Sequence, residues 1–211
     1  MWDQMKHSGF TKAVRDAATP DEVIARAKAG NERFRTGRRR HRDLLVELKR
    51  TADGQWPAAV VLGCIDSRAP AEIIFDLGLG DIFNCRVAGN VESTDVLGSM
   101  EYATKVAGAN LIVVLGHSAC GAVKGAIADA QLGNLTQLLA KIRPAVAKTA
   151  YSGERTADNP DFVDAVGRKS VQLTIDRIRV ESPVIAEQEK LGAIKIVGCF
   201  YDLSTGAVEF L

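Results

Sequence analysis

Apolar residues in this chain gather into a few short unbroken runs, separated by longer stretches in which they recur at helical spacing. Ala58 to Gly63 and Leu111 to Leu115 are apolar at consecutive positions and too short for helices, which is the pattern of strands buried on both faces of a parallel sheet. Ala193 to Phe200 reads as another buried strand, Asp81 to Val87 is strand-like, and Val208 to Leu211, beyond the turn Ser204-Thr205-Gly206, fits an antiparallel edge. Helical signals fill the intervals. Pro20-Asp21-Glu22 starts a helix carrying Val23, Ala27 and Phe34, and a second helical stretch spans Asp43 to Arg50. Pro70 sits in the first turn of a third, with Ile73, Ile74 and Phe75 as its apolar face. Ser93 and Thr94 are caps for a helix through Met100, Tyr102 and Val106 that stops near Gly108. Leu135 to Ala150 and Phe162 to Val180 are helical, with Pro144 and Pro183 as bends or boundaries.

This order predicts an α/β fold: a mostly parallel central sheet flanked by helices, with an antiparallel C-terminal edge strand. Residues 1–50 form a helical arm and residues 51–211 the α/β core, the two making one domain, since 211 residues suffice for one sizeable core. Charge narrows the partners. Lys and Arg number 27 against 26 Asp and Glu, a net +1, so no broad field draws nucleic acid or an anionic membrane. The basic run Arg33, Arg35, Arg38, Arg39, Arg40, His41 and Arg42 lacks interleaved aromatics and is expected to be a solvated or subunit-facing helix surface. No apolar stretch approaches the roughly 20 residues that span a bilayer, and Met1 to Pro20 is charged with no signal-peptide core, so a soluble cytoplasmic protein is expected.

Chemistry enters where the runs end. Cys64 follows the first buried strand, and His117 and Cys120 follow the second, giving a Cys2His set that can hold zinc with a fourth position open. Asp66 and Arg68 stand beside the first ligand and supply a carboxylate and a guanidinium. Any one of the three ligands alone would read as a buried thiol or a hydrogen-bonded core histidine. A closed structural site, with Asp66 as fourth ligand, stands beside the open one. Cys85 and Cys199 are expected as buried free thiols in apolar strands, Asp202 and Thr205 as turn formers, and Gly89 and Asn90 as residues shaping the pocket loop. The spacing of a phosphate-cradling loop is absent.

The motifs CIDSR at 64–68, RVAGN at 86–90, EYA at 101–103 and GHSACGAVKG at 116–125 occur in one order, with Gln55 ahead and FYDLSTG at 200–206 behind. In these the chain resembles the β-class carbonic anhydrases, from about residue 24 onward. The resemblance implies reversible hydration of carbon dioxide to bicarbonate and a proton by hydroxide on a Zn2+ held by Cys64, His117 and Cys120. It implies that Asp66 orients the nucleophile and Arg68 holds Asp66, as the catalytic pair. Gln55 then resembles the substrate-side amide, Gly121 a backbone contributor beside the metal, and Phe83 and Tyr102 aromatic pocket walls, Tyr102 reaching across a dimer interface. Asp76 resembles an acceptor behind the site or a proton-transfer participant. A homodimer or dimer-based tetramer follows, because the family exchanges N-terminal helices, here Asp21 to Arg50. Allosteric members of the family carry tryptophan three residues before the first ligand; Val61 occupies that place here, which favours an open, water-bound site. With His117 committed to metal, only His7 and His41 remain, so turnover is expected to depend on buffer. Hydrolysis of carbonyl sulfide or carbon disulfide is the alternative chemistry, and a noncatalytic zinc-stabilised binding protein the alternative class.

Overall fold

The structure is a computed structural model that describes residues 11–211. The expectations resting on residues 1–10, including His7 as a spare histidine, lie outside the described residues. Consecutive apolar positions become strands at β1 (Ala59–Gly63) and β3 (Leu111–His117), every residue of which is buried. With β2 (Ile82–Arg86), β4 (Lys195–Tyr201) and β5 (Val208–Phe210) they form one five-stranded sheet in the order β2-β1-β3-β4-β5. The first three pairings are parallel and β4 with β5 is antiparallel, so the expected architecture is the observed one.

The period of two along the strands sorts their side chains between two cores. Ala59, Val61, Leu111, Val113 and Leu115 face one side, where α2 (Pro20–Arg35) brings Val23 and Ala27. Val60, Leu62, Ile112 and Val114 face the other, against Val171, Ile175 and Ile178 of α9 (Pro160–Glu181). Capping sets the ends of these helices. Thr19 and Glu22 form a reciprocal capping box at α2. The side chain of Asn159 accepts amides at the start of α9, and Ser182 ends α9 and caps α10 (Pro183–Lys190). Seating α9 on the sheet demands glycine twice: a Cβ on Gly116 would stand 2.6 Å from Val171 Cγ2, and one on Gly198 2.9 Å from Val171 Cγ1.

Several local expectations change on inspection. The helix after Pro70 is a single turn, α4 (Ala71–Ile74), with Pro70 as its N-cap; Ile74 and Phe75 are buried but Ile73 is 42% exposed. The helix from Ser93 is α5 (Thr94–Glu101), whose continuation widens into a π-turn at Tyr102–Val106 before Gly108 takes a positive φ of 82°. Leu135 to Ala150 is two helices, α7 (Gly133–Ala140) and α8 (Arg143–Lys148), because Pro144 lacks the amide an unbroken helix would need and sits instead in the first turn of the second. No helix among the described residues is long and apolar enough to cross a membrane.

Only Arg33 and Arg35 of the basic run lie on a helix; Arg35, Arg38, Arg39 and His41 are exposed as expected, but the run beyond Arg35 is not helical. α2 ends at Arg35, and the chain from Thr36 turns back over the core before α3 (Leu44–Thr51). The reason is Asp76, fully buried at a positive φ of 47°. Its carboxylate accepts from Arg33 Nε at 2.5 Å and the Arg40 amide at 3.3 Å, its backbone oxygen accepts from Arg42, and Arg42 also pairs with buried Glu47 at 2.9 Å. Asp76 therefore pins the segment 33–42 rather than serving the ligand cluster, correcting the role its resemblance implied. Removing one member strands buried charge, so Asp76→Ala is expected to lower stability by about 3 kcal/mol while metal content stays unchanged. Denaturant midpoints measured beside metal analysis check this.

Candidate metal centre

The crossover after β1 leads to β2 on one side, and the chain later enters β3 on the other, so the carboxyl ends of β1 and β3 flank a switch point in the sheet. Their parallel register, Gly63 opposite Leu115, brings Cys64 and His117 to one edge. Cys120 is the N-cap of α6 (Gly121–Ile127), three residues after His117. One donor atom from each of Cys64, His117 and Cys120 lies within 4.8 Å of the others, and all three residues are buried.

The donors suit a metal. His117 Nδ1 lies 2.9 Å from the Ser118 carbonyl oxygen, which can only accept, so Nδ1 carries the proton and Nε2 is left with its lone pair. That Nε2 is buried with no hydrogen-bond partner, a cost a cation would relieve. The Cys64 thiol is pushed down to about 4, first by the Cys120 thiol, against burial, and further by His117 and the Gly89 amide. Cys120 is pushed up, first by Cys64 and then by burial. Burial works against the charged form of His117, but the closeness and charge of the Cys64 sulfur outweigh it and raise the ring. Two thiols and an imidazole thus compete for protons in one small space, the situation a divalent cation resolves by taking the ligands deprotonated.

The loop after Cys64 fixes the neighbouring carboxylate. Asp66 Oδ1 accepts from the Arg68 amide and Nε, both at 2.9 Å, and Oδ2 accepts from the guanidinium at 2.8 Å. This paired contact holds the Asp66 carboxyl well below the usual carboxylate range. Asp66 Oδ2 stands 3.9 Å from His117 Nε2, beside the ligands but outside their cluster. Gly89 donates its amide to Cys64 Sγ at 3.3 Å; its φ of 69°, and the 2.5 Å that would separate a Cβ from Ile142 Cδ1, explain why no side chain stands there.

Of the remaining sequence expectations, Gly121 opens α6 beside the cluster. Phe83 and Tyr102 meet edge to face with ring centroids 6.2 Å apart and line a surface cleft with Cys85 and Asn84 that none of the three ligands enters. Gln55 is exposed in the connection between α3 and β1, lining another cleft with Gly54 and Gly80. It lies at the amino end of β1, a five-residue strand's length from Cys64. Cys199 is buried and Cys85 half-buried, both free. Asp202 accepts from the Ser204 and Thr205 amides in its turn. Two residues went unassigned from the sequence. Arg86, inside RVAGN, donates to the carbonyl oxygens of Cys64 at 2.9 Å and Asp66 at 2.5 Å, and its place at the end of a strand beside the ligand strand was the available signal. Asp164 on α9 accepts the Ala119 amide at 3.0 Å, and nothing in the local sequence of α9 marks it.

Comparison with known proteins gives a consistent result. A family profile described as carbonic anhydrase matches residues 59–208. Carbonic anhydrase 2 of Mycobacterium tuberculosis is 43% identical over 181 residues, covering 85% of this chain and 86% of that protein. A carbonic anhydrase of Mycolicibacterium smegmatis is 38% identical over 188 residues, 86% of this chain and 88% of that protein. Among solved structures, a tetrameric β-carbonic anhydrase of Sordaria macrospora superposes with a TM-score of 0.71 at 27% identity, covering 90% of this chain and 93% of that one.

Cobalt(II) added to the metal-free chain is expected to produce thiolate-to-metal absorption in the near ultraviolet. Cys64→Ser and Cys120→Ser should each weaken that band and lower affinity, and His117→Ala should lower affinity too. Uptake should weaken as pH falls, because protons compete for all three ligands. Titrations followed by absorbance check both; undiminished uptake by the Cys64 variant would place the metal elsewhere.

Proposed function

The chain belongs to the β class of the carbonic anhydrase family, and from that premise we propose that it hydrates carbon dioxide reversibly, with Zn2+ held by Cys64, His117 and Cys120. The observation that carries this reading is a carboxylate, Asp66, held on both oxygens by Arg68 beside a buried Cys2His cluster whose imidazole Nε2 lacks a partner. When bound, zinc supplies Lewis acidity that lowers the pKa of water toward neutrality.

The chain's own residues do the rest. Asp66, kept anionic by Arg68, accepts a hydrogen bond from the nucleophilic water and turns its lone pair toward the carbon of carbon dioxide. Water oxygen bonds to that carbon, a carbon–oxygen π bond opens, and the products are bicarbonate and one proton, which passes to buffer. His41 is exposed in the segment pinned by Asp76 and stands apart from the ligands, in keeping with buffer-dependent turnover. Gly89, through its amide on Cys64 Sγ, offsets part of the thiolate charge and so limits how far the ligands quench the metal's acidity. The noncatalytic alternative would need Asp66 as fourth ligand, and its pairing with Arg68 opposes that.

The substrate side argues for a second copy of the chain. Gln55 cannot reach Cys64 of its own chain along the length of β1, and Phe83 and Tyr102 open onto a cleft apart from the ligands. The outer edge of β2 carries no partner strand among the described residues, and α3 exposes Leu44, Leu45, Val46 and Leu48. A C2 homodimer, alone or paired into a tetramer, would bring the Gln55 and aromatic positions of one chain to the ligands of the other, and the Sordaria macrospora protein is tetrameric.

Stopped-flow carbon dioxide hydration is expected to be fast in zinc-loaded protein and lost on chelation; equal rates with and without zinc would refute the proposal. Asp66→Asn should retain zinc yet lose at least about 10-fold in rate. Sedimentation equilibrium should find a dimer or tetramer, and a fully active monomer would contradict the shared site.

A further inference from the structure

We infer that Asp164 is a positioning residue for the metal-ligand loop: its carboxylate holds the Ala119 amide and so sets the placement of His117 relative to Cys120. This rests on the metal reading of that loop. The segment His117-Ser118-Ala119-Cys120 turns from the end of β3 into α6 with only two residues between ligands, and Ala119 makes the turn with a φ of 53°, a conformation an alanine rarely adopts. Something outside the loop must hold it there.

Two supports are visible, on opposite sides. From β4 and the turn after it, the Tyr201 carbonyl accepts the Ser118 amide at 2.9 Å, and the Leu203 amide donates to Ser118 Oγ at 2.9 Å. From α9, Asp164 Oδ1 accepts the Ala119 amide at 3.0 Å, a charge-assisted bond on the residue in the strained conformation. No other hydrogen bond or ion pair engages Asp164 among the described residues.

The position of α9 makes that contact specific. One turn beyond Asp164, a Cβ on Gly167 would lie 3.0 Å from the Phe200 ring and 4.0 Å from the His117 carbonyl oxygen. Gly116 admits Val171 more closely still, at 2.6 Å from where its Cβ would be. Glycine at both places lets the helix pack closely at the end of β3, with only Val171 and the Phe200 ring between them, and the carboxylate it presents reaches the loop directly. A merely solvated helix carboxylate would leave metal retention untouched when replaced.

The test is zinc release from the loaded full-length protein into excess chromophoric chelator. Asp164→Ala should release zinc at least about 10-fold faster than wild type. Asp164→Asn, which keeps an oxygen acceptor, should stay close to wild type. Adding Ala119→Gly to Asp164→Ala should recover part of the loss, because glycine holds a positive φ without help. Release from Asp164→Ala at the wild-type rate, or no recovery in the double variant, would overturn the inference. If Asp164→Ala fails to fold, hydrogen exchange of the unmodified holoprotein decides instead: a protected Ala119 amide is expected, and exchange at the free-peptide rate would refute the contact. A wild-type chain that takes up no zinc sinks the metal reading rather than this one, and Ala119 protection in that chain still decides whether Asp164 holds the loop.

Discussion

Parallel pairing of β1 with β3, in the register that sets Gly63 opposite Leu115, is the constraint on which the site depends. A one-residue slip of β1 against β3 would send Val60 and Leu62 to the wrong core and move Cys64 away from His117 in the same step. Hydrophobic burial therefore fixes ligand geometry: the energy that holds the register comes from side chains that never touch the metal. The price is that both strands need packing on two faces, which α2 and α9 provide.

Tight packing at the carboxyl edge then supplies the directional contacts. Gly116, Gly167 and Gly198 let α9 sit against β3, β4 and the Phe200 ring, and Gly89 fits beneath Ile142 with its amide on Cys64. Arg86 clamps the carbonyls of Cys64 and Asp66 from the end of β2. Apart from the Gly89 amide on Cys64 Sγ, these contacts act on backbone rather than on the candidate ligand side chains, so the loops are held by the protein's own packing. Asp66 is treated the same way: Arg68 satisfies both of its oxygens and leaves it a charged neighbour outside the ligand set. Charge elsewhere is spent on architecture, most clearly where Asp76 gathers Arg33, Arg40 and Arg42.

The mostly parallel sheet and the clustering of Cys64, His117 and Cys120 were legible because both leave strong local marks. Buried parallel strands are short apolar runs, and Cys64, His117 and Cys120 stand at their ends. What escaped was set by contacts between distant segments. The single turn after Pro70 depends on packing that proline geometry alone does not report, whereas the break at Pro144 was marked by the proline itself. The fate of the arginine run depended on a carboxylate more than thirty residues away. Asp76 was read as a site residue through the family resemblance, yet its partners come from the segment 33–42. Gln55 lies ahead of β1 and Tyr102 on the Phe83 cleft, both away from the Cys64, His117 and Cys120 cluster, a placement that motif order alone does not report.

X-ray absorption at the zinc edge, on loaded wild type and Asp66→Ala at the pH of turnover, tests the central claim most directly. The geometry predicts two sulfur scatterers at about 2.3 Å, one imidazole nitrogen at about 2.0 Å and a light-atom fourth ligand, with spectra unchanged by the substitution. Fewer than two sulfurs, or a first shell altered when Asp66 is removed, would contradict a site built from Cys64, His117 and Cys120 with Asp66 left free for chemistry.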